Sequence, residues 1–270
     1  MTWREVLGIV GKGLWASLKA GAYFRVSFIL KVLSGLVRAA TVLVFWRAVL
    51  QRAPSFVGWD ETSILVFLGC SELFFGLQLA LVSIAGRFWV YIRTGYLDVY
   101  LTRPVDARLL VAVANFDVPL AVRSVPPSLV YFGLAAANGW QPGAGDLLVA
   151  LAFIVAGALL LGLIQLCFSL TSFWLGPTEP LDEFVNSLYE FGHYPVDTLS
   201  GWVRVLVAWC LGLGYVATVP ARCAARGVTA LGLHTVCALA VGLAGLVMVW
   251  GGLSQLLWVR GRERYEGFGG

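Results

Sequence analysis

Six long apolar stretches restrict what this sequence can fold into. They lie at residues 26–49, 63–85, 109–136, 147–174, 202–219 and 228–258. A helix needs about 20 apolar residues to cross the hydrocarbon core of a bilayer, and helices satisfy their backbone hydrogen bonds internally. The fifth stretch is short for a span, whereas the third, fourth and sixth are long enough to tilt, kink or protrude. The sequence therefore predicts an all-α, polytopic membrane protein with about six transmembrane helices.

The composition supports lipid as the surrounding solvent. Only 13% of the residues are charged and 59% are hydrophobic, whereas a soluble domain carries about 25% charged residues. The net charge of +4 comes from basic residues scattered between the apolar stretches, so we expect membrane lipids and no nucleic acid as partners. The five cysteines form no CxxC pair and the two histidines lie far apart, so no metal site is predicted.

The sequence divides into three regions. Residues 1–25 carry apolar side chains on one helical face and charges largely elsewhere, which predicts an N-terminal amphipathic helix lying in the membrane interface. This segment has no uninterrupted apolar core and no small-residue cleavage site, so no cleaved signal peptide is expected. Residues 26–258 form the predicted transmembrane domain, and residues 259–270 form a cytoplasmic tail.

The basic residues predict the orientation. Eleven Lys and Arg residues should share one side: Arg4, Lys12, Lys19, Arg25, Arg87, Arg93, Arg103, Arg108, Arg260, Arg262 and Arg264. By the positive-inside rule, both termini and the loops at 86–108 and 176–201 are cytoplasmic, in a cell (inner) membrane. The loop at 176–201 contains no Lys or Arg and carries five acidic residues, which weakens its placement without reversing it, because acidic residues contribute little to the rule.

The acidic loop contains a predicted short helix. Pro177 and Pro180 mark its start, and apolar and acidic residues then occupy opposite faces. One interpretation is a second cytoplasmic contact, in which Asp182, Glu183 and Glu190 meet a basic partner. The other is the solvated face of a lid over the helix bundle, and the sequence leaves both open.

Charged residues inside the first two apolar stretches are informative, because an unpaired charge in the bilayer costs several kcal/mol (roughly 3 or more). Arg38 lies 38 − 26 = 12 residues into the first stretch, and Glu72 lies 85 − 72 = 13 residues before the end of the antiparallel second one. We therefore predict an ion pair between them, as a structural strut or as part of a substrate site. Lys31 is predicted to extend toward the cytoplasmic headgroups.

The third apolar stretch contains charges and helix-breaking residues, which predict a bent or interrupted helix. They are Asn115, Asp117, Pro119, Arg123, Pro126 and Pro127. Asp117 is a candidate for a proton relay, although no second buried acid or histidine is near it in the sequence.

No motif of a soluble enzyme is present. The sequence lacks GxxxxGK[ST] for nucleotide phosphates, HExxH for zinc and GxSxG for a serine nucleophile. We expect a membrane subunit that is not itself an enzyme and carries no cofactor, so any energy from ATP must be supplied by another chain.

Four segments together resemble a known family. They are GYLDVYLTRP at 95–104, YEFGHYPVDTLSGWVRVL at 189–206, GYVATVPAR at 214–222 and WVRGRERY at 258–265. In this order they resemble the six-helix permease subunits of type-2 ABC exporters, in the little-characterised branch that has a separately encoded ATPase.

The resemblance implies a permease that dimerises with itself or a related permease over two ATPase subunits, which bind ATP and Mg. It also implies that the loop at 86–108 receives the movement of the ATPase. The residues expected at that contact are Gly95, Leu97, Asp98, Leu101, Arg103 and Pro104. Asp98 and Arg103 would fix the register of the contact, and the leucines would occupy a cleft of the ATPase.

Two other classes remain open at this stage. An ion-coupled secondary transporter or channel would use Glu72, Asp117 and Arg123 as a charged pathway. A membrane anchoring protein would explain the apolar spans but not the motif in the loop at 86–108. The aromatic and aliphatic residues favour an amphipathic cargo such as lipid-like molecules, peptides or hydrophobic drugs, and the sequence does not choose among them.

Overall fold

The computed structural model describes residues 3–23, 25–52 and 57–265. The first two residues of the predicted N-terminal helix and the last five of the predicted tail lie outside these ranges. Every regular element within the described residues is helical, which confirms the all-α prediction.

Fourteen α-helices follow one another within the described residues. In chain order they are α1 (Trp3–Tyr23), α2 (Arg25–Arg52), α3 (Glu61–Leu81), α4 (Phe88–Arg93), α5 (Leu97–Leu101), α6 (Ala107–Ala114), α7 (Val118–Ala137), α8 (Ala144–Leu170), α9 (Ser172–Leu175), α10 (Glu179–Glu190), α11 (Gly201–Arg204), α12 (Thr218–Arg226), α13 (Val228–Leu231) and α14 (Leu233–Arg264).

Five of these elements are long and apolar enough to cross a membrane. They are α2 from Val26, α3, α7, the combined α8–α9 segment and α14. The chain is therefore a multi-pass membrane protein. The third predicted span is interrupted, as expected, but the break falls at 115–117 between α6 and α7, and α7 remains helical through Pro126 and Pro127.

The bundle has two ends, which we name by their contents. The apical end contains the turns before α3 and before α8 together with α12 and α13. There Trp140 donates to the Ala224 carbonyl at 2.9 Å, Arg226 donates to the Gly58 carbonyl at 3.0 Å, and Asp146 accepts from the amide of α13 at 2.7 Å. The basal end contains α4, α5, α6 and the end of α14.

Both ends of the described chain lie at the basal end. α1 packs along α6 and the start of α7, where the Ser17 hydroxyl accepts a hydrogen bond from the Val118 amide at 2.8 Å. At the other terminus, Trp258 of α14 packs edge-on against Phe88 of α4 with ring centroids 5.9 Å apart.

The segment at 179–199 connects the two ends of the bundle. At its start, Asp182 lies against Gly86 at the basal end. In its middle, Asn186 accepts from Gln165 of α8 at 2.8 Å. At its end, Asp197 accepts from Trp59 at 3.0 Å and from Arg222 at 2.6 Å, both at the apical end.

Residues 176–201 therefore do not form a loop confined to one end of the bundle, and the predicted side of the membrane for this segment stays a prediction. Asp197 forms an ion pair with Arg222 at the apical end, and Arg222 is not among the eleven basic residues that should share the cytoplasmic side. The sequence did not predict that this segment extends through the bundle, because only one face of α10 is apolar, with Val185 and Tyr189 buried. Its polar residues find partners on other helices, so the segment does not need the uninterrupted apolar sequence of a lipid-facing span.

The stretch predicted as a fifth span, residues 202–219, adopts a different structure. Residues Gly201–Cys210 and Leu213–Arg226 form two helical arms bent by 65°. The bend lies at Gly212, whose φ of +76° favours glycine, and Gly212 packs against Leu160 in the middle of α8. The first arm begins at the apical end, the bend reaches the middle of α8, and the second arm returns to the apical end, which is the shape of a re-entrant hairpin. We therefore expect the segment at 179–199 to supply the remaining crossing.

Labelling of single cysteines from either side tests this path. In a background without the five native cysteines, Glu183→Cys and Ser200→Cys place thiols at the exposed positions near the two ends of the segment. We expect a membrane-impermeant maleimide to react with them from opposite sides of sealed vesicles. Reaction of both thiols from the same side would contradict this path and support a loop on one side of the membrane.

Close helix packing holds α3 against α7. Gly76 lies against Ser124, and Gly69 lies against the ring of Phe132, so small residues on α3 let the two backbones approach. Glycine stripes of this kind contribute packing where the lipid provides no hydrophobic driving force between helices.

Replacing Gly76 with Ala should destabilise the bundle. A Cβ at Gly76 would lie only 2.5 Å from the Cβ of Ser124, and overpacking of this kind costs about 1–3 kcal/mol. Thermal unfolding in detergent should show a lowered Tm. Gly133→Ala is the matched control because a Cβ at Gly133 meets nothing within 4 Å, and an equal loss in both variants would contradict the packing argument.

Candidate functional site

Two adjoining chambers form a cavity between α2, α3, α7 and the segment at 179–199. The apical chamber has a volume of about 590 Å³, and the middle chamber has a volume of about 300 Å³. The residues that line both are Arg38, Glu72, Glu190 and His193. We call the two chambers together the central cavity.

The ion pair predicted from equal depth is present in this cavity. Arg38 of α2 donates to the Glu72 carboxylate of α3 at 2.5 Å. The Glu72 side chain is 7% exposed and that of Arg38 is 44% exposed, so the buried carboxylate depends on the arginine. Arg123 of α7 is close enough for its charge to act on the same carboxylate.

Lys31 lies near the basal end of α2 and has an acidic partner. It forms an ion pair with Asp117 at 3.7 Å, at the break between α6 and α7. Both residues line a separate cavity of about 390 Å³ between α1, α2 and the start of α7. The sequence did not indicate this ion pair, which forms because the interrupted third span leaves a carboxylate beside Lys31, and the predicted extension of Lys31 toward the cytoplasmic headgroups stays a prediction.

This separation bears on the ion-coupled alternative. Glu72 and Arg123 line the middle chamber, whereas Asp117 lines the cavity at the basal end. The three residues that such a mechanism would combine therefore do not line one chamber.

His193 is a cavity residue that the sequence did not indicate. Its ring stacks on Phe75 with centroids 4.1 Å apart, and its Nδ1 lies 3.2 Å from the Ser71 hydroxyl. Histidine at position 193 follows an amphipathic helix in an acidic segment, so its place beside α3 depends on the crossing path and has no local sequence signal.

A chain of three hydrogen-bonded side-chain amides extends from the middle chamber. Gln78 of α3 donates to Gln165 of α8 at 3.3 Å, and Gln165 donates to Asn186 of α10 at 2.8 Å. Gln78 and Gln165 are 5% and 2% exposed. These hydrogen bonds fix the position of α10, and with it the position of Glu190 at the end of that helix.

The acidic trio of α10 does not form one surface. Glu183 is exposed, Asp182 lies against Gly86, and Glu190 lines the central cavity. Eight residues of helix separate Asp182 from Glu190, which is about 12 Å along the axis. The structure therefore does not bring the three carboxylates together into one surface, as the interpretation of a second cytoplasmic contact requires.

The segment at 86–108 forms two short helices on an aromatic base. Leu97 is fully buried in a cluster with Phe88, Ile92, Val111, Leu170 and Trp258. The prediction that Leu97 reaches a partner is therefore wrong. Gly95 has a φ of +74° and reverses the chain so that α5 lies on this cluster.

The outer side of α5 is apolar and exposed. Tyr96 is 66% exposed, Val99 is 52% exposed and Leu101 is 36% exposed. Arg103 and Pro104 are also exposed, as expected for contact residues. We call Tyr96, Val99 and Leu101 the α5 patch.

Two further contacts hold the base of α5. The guanidinium of Arg108 lies 5.2 Å from the Trp258 ring centroid and donates to Gln255 of α14 at 2.8 Å. Burial raises the pKa of the Tyr265 hydroxyl to about 12, and the nearby Asp98 carboxylate adds to the increase. The hydroxyl therefore stays protonated beside Asp98.

The sequence matches the family described as ABC-2 family transporter protein over residues 36–269. The chain belongs to the ABC-2 transporter family. No curated protein matches it significantly. The family assignment gives the chain a permease role in ABC transport as a membrane subunit, and such permeases work with an ABC ATPase.

The Arg38–Glu72 pair of the permease yields a stability prediction. Arg38→Leu leaves Glu72 buried without its closest cation, which costs about 3–5 kcal/mol when a buried pair is broken. Arg38→Leu combined with Glu72→Leu removes both charges, so we expect the double variant to recover most of the loss.

A double-mutant cycle of thermal stability in detergent measures this coupling. The control is Arg52→Leu, at an exposed position near the end of the same helix, which should change Tm little. If the losses of the two single variants simply add in the double variant, the pair does not stabilise the bundle.

Proposed function

We propose that this permease forms the translocation pathway of an ATP-driven exporter, as a homodimer or heterodimer over two separate ATPase subunits. ATP and Mg bind to those partner subunits. The observation that carries the proposal is the family match over residues 36–269, which covers the central cavity and the α5 patch. The proposal places this permease in a cell membrane with the basal end toward the cytoplasm.

The charge distribution supports that orientation. The basal end includes Arg87, Arg93, Arg103 and Arg108 in the segment before α7 and the arginines at the end of α14. Lys and Arg near span ends favour the cytoplasmic side.

The α5 patch is the proposed ATPase contact. An apolar patch that is exposed to water often marks a surface that binds another protein. When a partner covers such a patch, the residues at its centre contribute most of the binding free energy. Arg103 adds a charge beside the patch, which favours a defined orientation of the partner.

The base of α5 provides a path for movement into the bundle. Leu97 packs into the cluster that contains Leu170 of α8 and Trp258 of α14, and α5 also contacts α6 next to α7. A well-packed cluster transmits displacement because it deforms little. Closure of the ATPases would therefore move α8 and α14 relative to α2, and change access to the central cavity.

The α5 patch supplies the test. We expect Val99→Asp to abolish copurification with the ATPase, or to reduce its coupled activity by about tenfold or more, because a central interface residue is worth about 2 kcal/mol or more. Asp98→Ala with Arg103→Ala should also uncouple the complex, by removing the charges at the rim. The measurements are copurification from the native host in mild detergent and ATP hydrolysis by the purified complex.

Leu175→Asp is the matched control. Leu175 is also exposed, at 71%, and it lies at the basal end after α8 but outside the α5 patch. It should retain the ATPase and its activity. If the permease purifies alone and transports without ATP, the proposed function is wrong. If Val99→Asp and Leu175→Asp lose the ATPase equally, the contact extends beyond the α5 patch.

A further inference from the structure

The central cavity lies at mid-depth in the bundle. Arg38 follows the start of α2 by 13 residues, which is about 20 Å of helix and close to half of the element. Charged groups at this depth are expensive to maintain unless they pair or face water. The charges in the cavity therefore indicate what it can hold.

Two charged side chains of the middle chamber form no direct ion pair among the described residues. Arg38 is paired with Glu72, but Arg123 and Glu190 have no ion-pair partner within 4 Å among the described residues. Both line the middle chamber. The lining of the chamber thus includes one cation from α7 and one anion from the end of α10.

Aromatic residues share the lining of the apical chamber with Glu190. Glu190 also lines the apical chamber, together with Phe45, Trp46, Phe191 and Tyr194. The rings of Trp46 and Tyr194 are 6.3 Å apart and tilted. A chamber lined by a carboxylate and several aromatic residues attracts an ammonium group through its charge, and through cation–π attraction where the cation lies over a ring face.

The apical chamber reaches the outer surface of the bundle along α2. Phe45 lines the chamber and is 49% exposed, and Val44 next to it is 68% exposed. An apolar chain attached to a bound headgroup can therefore extend along α2 into the surrounding lipid.

We propose that the central cavity binds a zwitterionic amphiphile, with its anionic group at Arg123, its ammonium group beside Glu190 and the aromatic wall, and its apolar chain along α2. The anionic group is a phosphate or a carboxylate. Binding by itself requires only this chain, and transport of the bound amphiphile rests on the proposed function.

The experiment measures binding to the purified permease without its ATPase. The permease is placed in nanodiscs of phosphatidylglycerol, so the bilayer supplies no zwitterion, and radiolabelled dodecylphosphocholine is bound below its critical micelle concentration, with empty nanodiscs subtracted. Unlabelled competitors with the same chain are dodecylbetaine, dodecyltrimethylammonium and dodecyl phosphate. They vary the headgroup while the tail stays constant.

We expect the zwitterions to compete at least about tenfold better than either single-charge amphiphile, since a charged hydrogen bond contributes about 1.5 kcal/mol or more. Dodecylphosphocholine and dodecylbetaine distinguish a phosphate from a carboxylate as the preferred anion. Glu190→Gln should remove the preference for dodecylphosphocholine over dodecyl phosphate. Arg123→Gln should remove the preference for dodecylphosphocholine over dodecyltrimethylammonium.

Two control variants preserve the site. Glu179→Gln, at the exposed start of α10, is the control for Glu190→Gln on the same helix. Arg52→Gln, near the exposed end of α2, is the control for Arg123→Gln on the neighbouring α7. Each control removes one charge at a position away from the cavity. Both should bind like the native chain. Equal competition by all four amphiphiles, or unchanged selectivity in Glu190→Gln and Arg123→Gln, would overturn the proposal. The bound amphiphile would then be ordinary lipid at the outer surface of the bundle.

The outcome is separable from that of the proposed function. Selective binding by the isolated permease, together with the absence of an ATPase partner, would retain the site and reject the ATP-driven exporter. ATPase activity that responds to Val99→Asp, without selective binding, would retain the exporter and reject the zwitterion site.

Discussion

A polar segment can cross a membrane only when other parts of the protein satisfy its polar groups, and the bundle is organised around this constraint. The segment at 179–199 carries Asn186, His193 and Asp197 between the two ends of the bundle. Each of them contacts a different neighbour: Gln165 of α8, Ser71 of α3, and the Arg222 and Trp59 pair at the apical end. If the segment were displaced, these groups would be left unsatisfied in a low-dielectric environment.

The apical contact joins three charged groups. The Asp197 side chain is 6% exposed and forms ion pairs with both Arg204 and Arg222 at 2.6 Å. Arg204 belongs to the first arm of the re-entrant hairpin and Arg222 to the second. One carboxylate therefore holds the end of the crossing segment and both arms of the hairpin, and the hairpin in turn packs its bend at Gly212 against α8.

This organisation connects the central cavity to the α5 patch. The wall of the cavity that carries Glu190 and His193 belongs to the crossing segment, which is hydrogen-bonded to α8. The base of α5 packs on the basal end of the same helix through Leu170. A movement imposed at α5 can therefore reach the cavity through a single rigid element.

The sequence by itself determined the membrane class, the five long spans, the break before α7 and the Arg38–Glu72 pair. Hydropathy and helical rise can be read from local sequence. Counting residues from the span ends placed Arg38 and Glu72 at the same depth in two antiparallel helices, and this was enough to predict their ion pair. Only the tertiary structure decided the path of residues 179–199, the re-entrant hairpin, the inward direction of Leu97 and the pairing of Lys31 with Asp117. These features depend on polar partners far apart in the chain, such as Asp197 and Arg222. An amphipathic or acidic segment has the same sequence pattern whether its polar face is hydrogen-bonded to water or to another helix.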